Sequence, residues 1–311
     1  MPKDVEVEEQ WWALLAPVAT HEPSGFITVP HDVARILAAD VQLGGFTLRP
    51  AERQIVEPIP HFRLGFDRVV FWPVFVEWST PGLEWLAAVR WATPRLHRIC
   101  ALLSLAWGEA WQVRVAPTQT ASISPRLPEP LRTPEDWPPR NNGQIGLREP
   151  VALPPWFVAT WDRLSRGELS REATGALLVW HQGVLLMPLH PSFAFVAFVA
   201  SIEAAASSPE LSVPPGGTEQ RFWTAMAVVA DEKDIDFFRS RRVYGRLRSA
   251  TAHGGILHGI EKQFGAPLFL PITPDDPVQE FMFATLQRIA RTSRELVIHL
   301  LRGDSAPGGS G

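Results

Sequence analysis

The chain has 311 residues, 46% apolar and 20% charged, with a formal net charge of −4. A chain of this size and composition can bury one large core or two smaller ones. Its acidic balance excludes a protein that coats nucleic acid over its whole surface, so any polyanion site is a local patch. The single cysteine, Cys100, excludes an intramolecular disulfide and a cysteine-rich zinc site.

The first residues, "MPKDVEVEEQWW", are acidic and lack the basic and apolar regions of a signal peptide. Together with the lone cysteine they predict a soluble, cytoplasmic protein. Residues 1–115 hold most of the tryptophans. "FDRVVFWPVFVEWS" (Phe66 to Ser79) mixes β-branched and aromatic residues as strands do. "LEWLAAVRWATPRLHRICALLSLAWG" reads as a helix with a kink at Pro94, and "AWQVRVAP" returns to strand alternation. This predicts a mixed α/β N-terminal domain, rich in Trp.

Residues 116–155 are crowded with prolines and contain an "NNG" turn. Neither a long helix nor a central strand passes through such a stretch, so it reads as a linker or cover segment. From 156 to 303 the pattern is helical. The expected helices run Trp156 to Arg166, Glu172 to Met187, Pro191 to Ser207, Thr218 to Ala230, Asp234 to His253 and Val278 to Leu301. The last carries an apolar stripe through Phe281, Ala284, Ile289, Val297, Leu300 and Leu301, with "TPDD" before it supplying caps. "FAFVAFVASIEAAA" (Phe193 to Ala206) is too short to cross a bilayer and is interrupted by Glu203, so it predicts a buried core helix and no membrane association. Residues 304–311 read as a disordered tail. The fold class expected is α+β overall, with an all-α helical bundle at the C-terminal end.

The chain contains no phosphate-loop, HExxH or EF-hand pattern, so no metal or cofactor is predicted. "DEKDID" (Asp231 to Asp236) reads as a helix start. His181 and His190 lack metal-ligand spacing and read as structural or surface residues, and His258, five residues after His253 and beyond two glycines, would need a special loop to share a metal with it.

"FFRSRRVYGRLRSATAHGG" stands apart. On a continuous helix Arg239, Arg242 and Arg246 share one face, and Arg241 and Arg248 another. Guanidinium groups bind phosphate bidentately and stay charged at any cellular pH. His253 closes the helix ahead of Gly254 and Gly255. A histidine beside fixed arginines suits cleavage of an RNA phosphodiester, whose 2′-hydroxyl nucleophile is already in the substrate. Arg248 and His253 are five positions apart, about 140° around an ideal helix, whereas Arg246 and His253 are nearly eclipsed. The geometry then requires Arg246 as the closer partner, an unwound helix end, a wrapped Arg248 side chain, or two subunits pooling residues. The structural alternative carries equal weight here: arginines near a helix end can satisfy carbonyls, and the histidine can cap.

The order Tyr244, Arg248, Ser249, His253, Gly254 resembles the Y-x-x-x-R-S-x-x-x-H-G signature of HEPN domains, in particular the ApeA-like branch. "FVASIEAAASS" is similar to the family's earlier helix, in which Glu203 takes the acidic place. The resemblance implies a metal-independent endoribonuclease within a helical bundle, covering about Trp156 to Arg302. It implies His253 as general acid/base, Arg248 as charge stabiliser and Tyr244, Ser249 and Glu203 as supporting residues. RNA is the implied partner, with Arg239, Arg242 and Arg246 adding phosphate contacts. The family also implies a homodimer through the bundle and a role in bacterial defence against phage, with a regulatory or sensing role and a trigger ligand at the N-terminal domain. The position after the arginine is Ser249, where active members often carry Asn, Asp or His. Two alternatives stay open: a non-catalytic module that binds RNA or nucleotide, and a dimerisation scaffold for a ligand-sensing N-terminal domain.

Overall fold

The computed structural model describes residues 8–17, 36–51, 55–61, 65–71, 73–81, 84–120, 150–187, 190–259 and 277–303. The "TPDD" cap, most of the proline-rich segment and the C-terminal tail lie outside these residues. The chain divides into two compact units, with a boundary between Asp162 and Arg163. The fold class is α+β.

The first unit is built on a five-stranded sheet in the order β2-β3-β6-β1-β7, every pair antiparallel. The strands are β1 (Glu8–Pro17), β2 (Val41–Leu43), β3 (Phe46–Pro50), β6 (Val74–Pro81) and β7 (Trp111–Gln119). Between β3 and β6 the chain makes a separate two-stranded ladder, β4 (Ile55–His61) with β5 (Gly65–Phe71). Strand β1 is buried on both faces, with Trp11 through Ala16 all at 2% exposure or less. Phe46, Trp78 and Trp11 stand opposite one another across β3, β6 and β1 and form an aromatic row. Such cross-strand aromatic pairs are the unit of sheet stabilisation and fix the register.

Helix α1 (Trp85–Trp107) runs unbroken through Pro94. It buries Ala88, Ala92, Leu96, Ile99, Cys100 and Leu103, and it ends at Gly108 in the left-handed conformation, φ 78°. Ser104 Oγ then accepts from the Trp111 backbone N–H at 2.8 Å, joining the helix end to the start of β7. Trp91 of α1 stacks on Phe46 at 5.3 Å.

Helix α2 (Trp156–Arg166) begins where the sequence predicts, but it spans the boundary between the units rather than opening the second. The reason lies in Trp161. Its indole N–H donates to the Leu43 carbonyl at 2.8 Å, and its ring meets Phe46 edge-on.

The second unit is helical throughout its described residues. Helices α3 (Arg171–Leu186) and α4 (Pro191–Ser207) make its most extensive contact. Gly183 of α3 lets the Phe198 ring of α4 approach so closely that a Cβ would lie 2.7 Å from it. Ser201 of α4 donates to the Ala176 carbonyl of α3 at 2.8 Å. Helix α4 starts with Pro191 at N1, where the missing N–H costs nothing. It buries Phe195, Phe198, Val199 and Ile202 in the core of the unit. Helix α5 (Thr218–Met226) stops short of the predicted Ala230 because a turn leads directly into the Asp231 cap.

The final predicted helix is three segments: α8 (Pro277–Gln279), a π-turn over Glu280–Thr285, and α9 (Leu286–Arg302). Its predicted stripe is buried at Phe281, Ile289, Val297, Leu300 and Leu301, with Ala284 half-buried. Arg163 donates to the Leu301 carbonyl at 2.7 Å, satisfying an orphan group at the end of α9.

Candidate functional site

The predicted helix from Asp234 to His253 is not continuous. Helix α6 (Glu232–Ser240) is capped by Asp231, whose carboxylate accepts from the Asp234 N–H at 2.8 Å, so "DEKDID" is a helix start. Asp234 also pairs with Arg288 at 3.0 Å and Arg291 at 2.9 Å. The helix then breaks at Arg242, which adopts a left-handed conformation with φ 49°. From there the Arg242 carbonyl accepts from both Arg246 N at 2.8 Å and Leu247 N at 3.2 Å. The second bond spans five residues and opens a π-turn over Val243–Arg248, followed by α7 (Ser249–Gly254). The shared arginine face inferred from helical spacing is therefore corrected: Arg239 lies before the break, Arg242 in it and Arg246 beyond it.

The π-turn has a geometric effect. It holds more residues per turn than an α-helix, and Tyr244 and Arg248, four apart, stay on one face of it. Both then reach Glu203 on α4. The Tyr244 hydroxyl donates to Glu203 Oε1 at 2.8 Å, and Arg248 Nη2 donates to Glu203 Oε2 at 3.2 Å. The side chains of Arg248 and Glu203 are 28% and 17% exposed. This is a partly screened pair, and the remaining guanidinium N–H groups are available for a further partner. The Arg248 guanidinium also lies 5.8 Å from the Tyr244 ring centroid, and Phe222 backs that ring at 4.9 Å. Burial, then the hydrogen bond to Glu203 and the carboxylate charge, push the Tyr244 hydroxyl up to about 12.

Three of the sequence-predicted residues, Glu203, Tyr244 and Arg248, are thus brought together. Others are not. His253 is exposed near the end of α7, and its side chain makes no hydrogen bond or ion pair among the described residues. Gly255 ends the helix in the left-handed conformation, φ 63°, and Ile256 N closes the cap on the Ala250 carbonyl. Ser249 opens α7 without a side-chain cap contact among the described residues. Arg239 is exposed, its guanidinium 5.5 Å from the Trp223 ring. Arg242 and Arg246 are both exposed. Arg241, on α6's C-terminal side, forms an ion pair with Glu280.

Sequence reasoning missed two polar arrangements. Glu210 takes hydrogen bonds from Ser208, from Ser170 Oγ at 2.7 Å and from Ser170 N at 2.7 Å, tying a short 3₁₀ turn (Pro209–Leu211) to the start of α3. Burial alone would raise this carboxyl, but the Ser208 and Ser170 bonds pull it down to about 2. The signal that could have found it is Ser170, which caps α3 by accepting from the Ala173 N–H. The second arrangement is the wall that Leu257, His258 and Phe281 form beside Arg246, which no local pattern announces because its members are far apart in the chain.

Among the described residues, no group of three or more His, Cys, Asp or Glu side chains could hold a metal ion. No helix among them is long and apolar enough to cross a membrane. Compared with known proteins, the chain matches no family model, no curated protein and no solved structure.

Proposed function

We propose that the chain is a metal-independent endoribonuclease of the HEPN type, acting in the bacterial cytoplasm in defence against phage or stress. The observation that carries this reading is the convergence of Tyr244 and Arg248 on Glu203. Tyr244 and Arg248 are residues the signature singles out, and one carboxylate holds the Arg248 guanidinium through Nη2.

In this reading the Arg248 fork binds a phosphodiester and neutralises charge as it builds on the non-bridging oxygens. The 2′-oxygen attacks phosphorus and loses its proton to a base. The bond to the 5′-oxygen breaks, and that oxygen takes a proton from an acid. A 2′,3′-cyclic phosphate and a 5′-hydroxyl result, with no net change in protons. His253 is exposed and free to exchange protons with a bound strand. A homodimer formed through the helical unit brings two copies of His253 to one phosphate and supplies base and acid together. Arg239, Arg242 and Arg246, all exposed, extend the phosphate contacts. The tryptophan-rich unit is the regulator, responding to a trigger ligand.

The absence of contact between His253 and the Glu203 cluster favours a second reading, a non-catalytic module that binds RNA or nucleotide. Incubation of purified protein with a mixed single-stranded RNA pool in EDTA separates the two. Cleavage lost in both Arg248→Ala and His253→Ala supports the enzyme. Binding without cleavage, weakened by Arg248→Ala and not by His253→Ala, supports the module.

A further inference from the structure

Two π-turns of the second unit border one cavity. The turn over Val243–Arg248 contributes Arg246 and Leu247, and the turn over Glu280–Thr285 contributes Glu280, Phe281 and Thr285. The space they leave is about 380 Å³, within the range of small-molecule sites, and Leu257, Pro277 and Val278 add to its apolar wall. A π-turn is rare within a helix and frequently marks a functional site. Here two of them meet.

The polar groups of the wall are unequal. Thr285 is 2% exposed, and its hydroxyl makes no hydrogen bond among the described residues. A buried hydroxyl ordinarily has a partner, so this one is left for an occupant of the cavity it lines. Arg241 is paired with Glu280, whereas Arg246 is exposed and has no ion-pair partner among the described residues. Burial lowers the His258 pKa from its ordinary value, so that ring adds no charge at neutral pH. The wall therefore carries one uncompensated positive charge. That charge matches a monoanion, and the planar guanidinium fork matches a carboxylate, which it binds bidentately. A phosphate dianion would set its second charge against Glu280. The body of the ligand meets Leu247, Leu257 and Val278, which are aliphatic.

We propose that this cavity binds an aliphatic monocarboxylate, its carboxylate on Arg246, its chain against Leu247, Val278 and Phe281, and one of its oxygens accepting from Thr285. The inference goes beyond the ribonuclease reading. Neither Arg248 nor His253 lines the cavity, and of the residues given there to RNA only Arg246 is shared.

Calorimetric titration of the full chain with octanoate, acetate, 1-octanol, AMP and inorganic phosphate tests it. Octanoate should bind about tenfold or more tighter than acetate, which lacks the chain, and than 1-octanol, which lacks the charge. Arg246→Ala should weaken octanoate binding by about tenfold and Thr285→Val by about fivefold. Val278→Trp, which fills the cavity, should remove it. Unaltered melting midpoints establish that the variants are folded. Octanoate that binds no tighter than acetate or 1-octanol overturns the proposal, as does AMP or phosphate that binds tighter than octanoate. Octanoate binding left unchanged by any one of the three substitutions overturns it too. None of these outcomes reads RNA cleavage, so the ribonuclease reading stands or falls separately.

Discussion

Glu203 and Arg248 are joined between α4 and the π-turn at 3.2 Å, and the same carboxylate accepts the Tyr244 hydroxyl at 2.8 Å. The one charged residue of α4 thus holds two side chains of the turn. Glu203→Ala removes both bonds and should destabilise the second unit by about 1–3 kcal/mol. Its effect on RNA cleavage should match that of Arg248→Ala, because an unaimed guanidinium is lost to the site. A double-mutant cycle between positions 203 and 248, read by urea unfolding and by cleavage rate, measures the coupling.

Tyr244 is the chain's only tyrosine, so its phenolate absorbance reports one group. It should titrate near 12 rather than at the ordinary 10.0. Since the folded value is raised, the stability it contributes is present below about 10 and is lost as pH rises toward 12. In Glu203→Gln the midpoint should fall back toward the ordinary value. A wild-type midpoint at the ordinary value would show that the hydroxyl does not engage Glu203 in solution.

Glu210 gives the opposite limb. Its carboxyl is held at about 2 against an ordinary 4.5. Its contribution to stability is therefore present above 4.5 and is lost as pH falls toward 2. Glu210→Gln should be less stable than wild type at neutral pH, and the difference should shrink across that window. Melting midpoints measured through the acid range check this.

Gly183 and Phe198 set the spacing of α3 and α4. Gly183→Ala puts a methyl group 2.7 Å from a fully buried ring, and overpacking of this kind costs about 1–3 kcal/mol. The better helix propensity of alanine recovers at most about 1 kcal/mol, so the variant should unfold at lower urea concentration than wild type.

Cys100 is fully buried within α1, and burial raises its thiol well above the ordinary value. A thiolate-seeking reagent should leave the native protein unlabelled and react only as the first unit opens. Labelling rate against denaturant then follows that unit separately from the second.

Helix α4 was legible because local signals agree: a proline at N1, a long apolar run and small residues. The α+β class was legible for the same reason, from contrasting periodicities in the two parts. Strand β1 was not. Its residues Trp11 to Ala16 are all buried, so the sequence lacks the alternation that marks a half-exposed strand. Its partners, β6 and β7, lie far along the chain. The break at Arg242 was hidden for another reason, since a left-handed turn is ordinarily signalled by Gly or Asn. The identities of Tyr244, Arg248 and Glu203 could be read from the sequence. The four-residue spacing of Tyr244 and Arg248 already puts them on one face; the π-turn that carries them was not legible.

The central claim is tested most directly by replacing a single ribose. A short RNA whose cleavage position is known from the wild-type digest is remade with one 2′-deoxy nucleotide immediately 5′ of the scissile phosphate. Attack by the 2′-hydroxyl predicts that this strand stays intact at that position while flanking sites are still cut, and that the unmodified strand yields 2′,3′-cyclic phosphate ends. Cleavage at the deoxy position at the wild-type rate would contradict the account.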